Sequence, residues 1–225
     1  MRYIFNTMTI AQAVDQMISK LPFLEEALNE ELINISSLAR KLQPDIEKLL
    51  HKPVQAGAIV MAINRRPPKL SFRISKDIRE FMRKLGDVIV RSDLRDFTWE
   101  NSPGLVGCNR QLMEEIGGEK DIFCTISQGV FETTLVVSSS LHQRINEIYS
   151  GETLLAQKTN LSSITLRLPE SNTEVSGIYY FLLKNLAWSA INICEVISTS
   201  NEVTFVVEEK DVHSAFSILM GMKHL

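Results

Sequence analysis

The sequence predicts an α+β protein: a small helical, helix-turn-helix-like module followed by two ferredoxin-like βαββαβ units. Three observations carry this. Residues 1–68 are dense in helical periodicity and capping signals. From residue 88 the pattern switches to period-2 strands separated by tight turns. The order strand-helix-strand-strand-helix then occurs twice, at a spacing of roughly 70 residues and with little residue identity between the copies. The implied boundaries are 1–68 for the helical module, 69–87 for a basic linker helix, 88–160 for the first mixed unit and 161–225 for the second.

The elements follow in order. Thr9, with Gln12 three residues on, has capping-box spacing and starts a helix with an apolar stripe of Ile10, Val14, Met17, Ile18 and Leu21. Pro22 opens a second helix, in which Phe23, Leu24, Ala27 and Leu28 are expected to be buried. Residues 34–37 are read as a break with capping residues, followed by a short third helix over 37–42 that the Gln43-Pro44 pair is expected to break, with a further piece over 45–50 and another after Pro53. The segment 65–95 carries ten Lys and Arg against four acids; it includes a helix with Ile74, Ile78, Phe81, Met82 and Leu85 inward and Gly86 as its C′ residue.

In the first mixed unit, 94–101 alternate as a strand, a Pro-started and Gly-stopped helix follows, and two strands meet at Gln128-Gly129. A helix over 141–151 and a short strand over 152–159 complete it. The second unit repeats the order: a strand over 162–170, a helix over 172–192, two strands joined through Ser200-Asn201-Glu202, and a helix over 211–222.

Composition narrows the function classes. With 44% hydrophobic and 23% charged residues the chain is ordinary for a globular protein. No apolar run approaches a membrane span and residues 1–16 lack a leader pattern, so the expected location is cytoplasmic with no membrane partner. Cys108, Cys124 and Cys194 have no C-x-x-C spacing, and the four histidines are dispersed, so neither disulfide, metal nor cofactor is expected. Phosphate-binding glycine loops and the nucleophile elbow are absent, and no nucleophile, base and orienter can be assigned together, so no enzyme activity is expected. Residues 1–95 carry 16 basic against 11 acidic side chains, and residues 96–225 carry 8 against 16. Arg40, Lys41, Lys48, Lys52, Arg65 and Arg66 are the candidate nucleic-acid contacts of the basic part, against the plainer reading of a solvated basic face.

The repeated unit resembles the ACT domain, a βαββαβ module that binds amino acids in metabolic enzymes and regulators. The second copy is similar to the tandem ACT region of aspartate kinases. A helix ends in Asn192-Ile193, a strand runs into Ile197-Ser198-Thr199-Ser200, a Val-rich strand covers 203–207, and an acidic cap precedes an Ala-containing helix over 211–219. The first copy carries the Ser102-Pro103-Gly104 turn that many ACT domains use between first strand and first helix. The whole chain also resembles uncharacterised prokaryotic proteins that join an N-terminal helical module, a candidate for DNA binding, to ACT domains.

The resemblance implies a non-catalytic regulator that binds an amino acid between ACT copies and associates as a homo-oligomer, with a dimer the expected state. Unpaired N–H groups at a helix N-terminus would attract the ligand carboxylate. That points to Asn101, Ser102, Pro103, Gly104 and Leu105 in the first copy. In the second it points to Ser171, Asn172 and Thr173, with Asn192 and Ile193 across from them. Two departures stand out: residues 170–177 replace the Pro-Gly turn, and little chain after Met222 remains for a fourth strand, which exchange with the first copy or another chain could supply. The competing reading is a ligand-free dimerisation or docking protein acting on a metabolic enzyme.

Overall fold

The computed structural model describes residues 8–66, 70–119 and 121–224, and the chain forms two compact units, Met1–Asp77 and Ile78–Leu225. In the first unit α1 (Ile10–Ser19), α2 (Pro22–Asn29), α3 (Ile35–Leu50) and α4 (Ala56–Asn64) enclose one apolar core. Ala13, Val14, Ile18, Leu38, Leu42, Ile46, Ile59 and Ile63 fill it, the i, i+4 stripes that the sequence spacing requires. Thr9 and Gln12 form the expected capping box, and Asn34 Oδ1 accepts from Ser37 N at 3.0 Å to start α3.

Two expectations in this unit are corrected. Pro44 does not break α3, which runs unbroken through it. Pro44 lies on the solvent face, clear of the core, and the buried row Leu38, Leu42, Ile46 holds the helix on both sides of it. Phe23 is 60% exposed while Leu24 is buried, because α2 directs only its Leu24 side at the core. Pro67 and Pro68 lie outside the described residues, as do the side chains of Lys69, Arg73, Ile74 and Lys76.

The second unit begins within α5 (Leu70–Arg83), where Ile78, Phe81 and Met82 are buried as expected, together with Leu85 beyond the helix end. Gly86 is no helix cap: α5 ends three residues earlier, and Gly86 donates instead to Arg167 O at 2.9 Å. There a Cβ would come within 3.1 Å of the Arg167 side chain.

The remaining elements are β1 (Val88–Glu100), α6 (Pro103–Ile116), β2 (Cys124–Gln128), β3 (Glu132–Ser138), α7 (His142–Ile148), β4 (Leu154–Arg167), α8 (Ile178–Trp188), β5 (Ile193–Ser198), β6 (Glu202–Glu208) and α9 (Val212–Gly221). The strands form one antiparallel sheet of six, in the order β2-β3-β1-β4-β6-β5.

Its centre explains the apparently missing strand. The segments 152–159 and 162–170, expected as two strands, belong to one 14-residue strand, β4. Its first part pairs with residues 94–99 of β1 and its second part with β6. β1 behaves in the same way: its second part pairs with β3, while Val88–Arg91 pair with residues 163–166 of β4. Each long strand therefore serves both halves, and the sheet is completed within the chain rather than by another copy. Asp93 and Asn160, both at φ 57°, sit at the register shifts where the two strands change partner.

The helix before β5 is also shorter than expected. Glu170–Thr173 form a 3-10 turn, Gly177 at φ 89° caps α8, and the helix ends at Trp188. Phe97, Trp99, Leu135 and Val137 pack with Leu105 and Leu112 of α6 and Ile145 of α7. The alternate positions Leu94, Val136, Leu161 and Val206 cluster on the opposite face.

Candidate functional site

The two strand-to-helix turns occupy equivalent places at opposite ends of the β1–β4 pair. At the first, Glu100 N donates to Thr153 O and Asn101 N to Phe131 O, each at 3.0 Å. At the second, Arg167 N donates to Asp87 O at 3.0 Å and Leu168 N to Asn201 O at 2.7 Å. These bonds set the correspondence between the halves: Glu100 with Arg167, Asn101 with Leu168, Thr153 with Asp87, and hence Glu152 with Gly86.

The first turn brings its five expected residues together. Asn101 Nδ2 donates to Gly129 O at 2.9 Å, and Asn101 Oδ1 accepts from Thr133 Oγ1 at 2.6 Å, so this side chain ties the β2–β3 hairpin to the end of β1. Ser102 is the N-cap of α6, with Pro103 as the first helical residue. Gly104 N and Leu105 N both donate to Ser102 Oγ, at 3.1 and 3.3 Å, and Leu105 is buried. The Ser102 hydroxyl donates in turn to the Glu152 carboxylate. A Cβ on Gly104 would collide with Glu152 Oε1, so glycine is what admits that carboxylate to the helix end. Cys108, one turn further along α6, donates to Ile148 O at 3.3 Å; burial first, and then the Glu152 charge, push its thiol pKa up.

The second turn is different. Ser171, Asn172 and Thr173 form the 3-10 turn, in which Asn172 N donates to Pro169 O and Asn172 Nδ2 to Ser200 O. Asn192 and Ile193 do not sit across from them. Ile193 pairs with Val207 of β6, whereas the turn lies at the Arg167–Glu202 end of the same sheet, about 17 Å away at 3.3 Å per residue. Where Glu152 closes the first turn, Gly86 presents no side chain. A groove of about 380 Å³ opens there, lined by Lys84, Gly86, Asp87, Arg167, Glu170 and Asn201. A neighbouring depression of about 300 Å³ shares Asp87, Arg167 and Asn201 and adds Glu202. Both volumes are at the low end of small-ligand sites. Lys84 and Arg167 supply positive charge, Asp87, Glu170 and Glu202 negative charge. A larger notch of about 640 Å³ lies at Lys158–Leu161, but it is walled by a Glu208–Lys210 ion pair and adjoins neither turn.

Sequence reasoning missed Glu152, Lys84, Gly86 and Arg167. Their significance depends on the register between the two halves, which is set by backbone bonds between residues distant in the chain.

The six basic candidates divide. Arg40, Lys41 and Lys48 lie on the exposed side of α3, with Arg40 Nη2 donating to Ser37 Oγ at 3.1 Å and Lys48 pairing with Asp45 at 3.4 Å. Lys52 and Arg65 are exposed at the ends of α3 and α4. Arg66 is not a surface cation: its side chain is 11% exposed, with Nε on Asp15 at 2.7 Å and Nη2 on Glu25 at 2.6 Å. Among the described residues no group of three His, Cys, Asp or Glu is placed to hold a metal, and no helix is long and apolar enough to cross a membrane.

The chain matches no protein-family model and no curated protein. Among solved structures it is similar to the ligand-free regulatory subunit of aspartate kinase from Thermus thermophilus, at 12% identity and a TM-score of 0.50, over 61% of this chain and 97% of that one. It is similar to aspartokinase alpha and beta subunits at 15% identity and a TM-score of 0.50, over 63% of this chain and 99% of that one. It is also similar to aspartate kinase of Clostridium acetobutylicum, described as an allosteric enzyme, at 16% identity and a TM-score of 0.50. That match covers 61% of this chain and 34% of the enzyme. At these identities the likeness is one of fold. As fold, it bears out the resemblance to the regulatory region of aspartate kinases.

Proposed function

We propose that the chain is a non-catalytic ACT-type regulator that binds a free amino acid and passes the binding event to a partner in amino-acid metabolism. The observation that carries this reading is the groove at the second turn, which sets Arg167 and Lys84 beside Asp87 and Glu170, with Glu202 in the adjoining depression. A zwitterion needs both signs of charge within a few ångströms. Guanidinium suits its carboxylate and an acidic side chain suits its ammonium. The expected position at an interface between ACT copies is accordingly moved from the Ser102 turn to the Arg167 end.

A thermal-shift screen of the twenty amino acids tests it, since a ligand at 100 times its Kd adds about 2.7 kcal/mol to stability. At least one amino acid is expected to raise the melting temperature of the wild type and to lose that effect in Arg167→Met. A flat screen at millimolar concentrations refutes amino-acid binding.

The ligand-free docking reading has an observation of its own. Residues 154–160 of β4 are all exposed, and β6 pairs with this strand only from Leu161 onward, so one edge is available to a second copy or another partner. A constitutive homodimer, unchanged by any amino acid in light scattering, would favour it. DNA remains the proposed partner of the first unit through the Arg40, Lys41 and Lys48 face of α3. Salt-sensitive retardation of duplex DNA is the expected result, and no retardation at low salt removes this branch.

A further inference from the structure

Asp96 lies in the second part of β1, alternating with Phe97 and so on the sheet face away from α6 and α7, and it is 4% exposed. Its Oδ1 is buried and has no hydrogen-bond partner among the described residues. Its partner on β3 is Val136; its partner on β4 is Lys158, which is exposed. Glu195 belongs to the other half, on β5, where its β6 partner is Val206. Val136 and Val206 share one apolar cluster with Leu94 and Leu161, and Cys194, the neighbour of Glu195, packs against it. One carboxyl from each half therefore borders the same cluster, and the two charges act on each other across it. The other titratable groups facing them are Lys158 of β4, Cys194 of β5, Glu208 of β6 and Glu132 of β3. Glu208 is paired with Lys210, which leaves Lys158 as the cation facing the pair among the described residues.

An ionised carboxylate in such a place is costly, because burial strips its water and one oxygen stays unpaired. Burial holds Asp96 above the ordinary carboxylate range in spite of Lys158, and burial and then the Asp96 charge hold Glu195 above it. We propose that Asp96 and Glu195 form a proton-operated contact between the two halves: a proton taken from solvent by the pair tightens the packing around Val136 and Val206, and its loss loosens it. Interacting carboxyls titrate as a pair rather than singly. Their contribution to stability is full below the unfolded values of about 3.9 and 4.3, and it is lost as pH rises through the folded values. The contact accordingly tightens as pH falls from neutral. It needs neither the groove nor an amino acid.

The test uses the full chain and compares wild type, Glu195→Gln and Asp96→Asn. It follows the side-chain carboxyl carbons by NMR as pH is lowered, and the protection of the Val136 and Val206 amides from hydrogen exchange at about pH 7 and about pH 5. The Asp96 carboxyl is expected to take up its proton at lower pH in Glu195→Gln than in the wild type. One proton moves an opening equilibrium by at most about tenfold per pH unit, and wild-type protection is expected to rise at least about threefold between the two conditions. Asp96→Asn, fixed in the neutral form, should lose that rise. A structural role alone would change protection equally at both pH values. An Asp96 midpoint unmoved by Glu195→Gln, wild-type protection that does not change with pH, or a rise of the same size in Asp96→Asn overturns the proposal. If Asp96→Asn does not fold, wild type and Glu195→Gln decide the matter, since Glu195 is half-buried and lies outside the apolar core.

Discussion

Replacing Arg66 separates a structural cation from a nucleic-acid contact. Its guanidinium joins the end of α4 to Asp15 of α1 and Glu25 of α2, and the side chain is 11% exposed. Arg66→Met keeps the apolar stem and removes both bonds. The Asp15 side chain is 42% exposed, so that bond is discounted to about 0.5–1 kcal/mol for solvent screening. The Glu25 side chain is 19% exposed, and losing a charge-assisted bond there costs about 1.5–2 kcal/mol. The total is about 2–3 kcal/mol, measured by urea unfolding followed by circular dichroism at 222 nm. The second readout is the salt dependence of DNA binding at a temperature where the variant is folded. Each phosphate contact contributes about −0.9 to the slope, so Arg66→Met should leave the slope unchanged while Lys41→Ala and Lys48→Ala each flatten it. A stability loss below about 0.5 kcal/mol, the range of ordinary surface substitutions, would refute the structural assignment.

Three further outcomes are expected. Burial raises the Asp96 pKa while Lys158 lowers it, and Glu195 is raised by burial and then by Asp96. Protonated Asp96 therefore suits the folded state, and the stability linked to it is full below the unfolded pKa of about 3.9 and lost as pH rises through the folded value. Lys158→Met should accordingly destabilise at pH 7 and lose most of that effect near pH 3.5; equal losses in urea midpoint at both would contradict it. Asn160 at φ 57° admits no branched side chain without strain, so Asn160→Val should cost about 1–2 kcal/mol in the same assay while Asn160→Gly stays near neutral. Burial pushes the Cys124 thiol up to about 11, so alkylation by iodoacetamide, read by mass spectrometry, should be slow at pH 8 and rise about tenfold per pH unit toward pH 10.

What was legible in the sequence was local. Thr9 caps α1 because an oxygen side chain needs only the next three residues to find its N–H partner. The two hairpins close alike, with Gly129 N on Glu132 O and Thr199 N on Glu202 O, and both were readable from turn chemistry. The long strands were not. Residues 154–160 are uniformly exposed, so no alternation marks them as half of a central strand, and Asn160 reads as a break although it is a bulge. Pro44 misled for the opposite reason: a local breaking signal was overridden by core contacts on both sides. Asn192-Ile193 identified the strand it opens, but only the pairing with Val207 shows how far that strand's start lies from the second turn.

The shared strands bear on how a binding event could leave the groove. Gly86 N on Arg167 O and Arg167 N on Asp87 O fasten the approach to β1 against the end of β4, and Lys223 Nζ adds a bond to Gly86 O at 2.8 Å. The groove thus lies where the entry to β1, the exit from β4 and the end of the last helix meet. A ligand there shifts an equilibrium only if it prefers one arrangement of those three segments to another. β1 runs from this end to Asn101 and the Ser102 cap, with the Asp93 bulge between them. The bulge breaks the ladder locally, so the most direct mechanical link between the two turns passes through a stretch of β1 where its pairing with β4 is interrupted. The first half has no open counterpart to this groove: Ser102 Oγ accepts from the Gly104 and Leu105 amides at the end of α6, and its hydroxyl donates to Glu152.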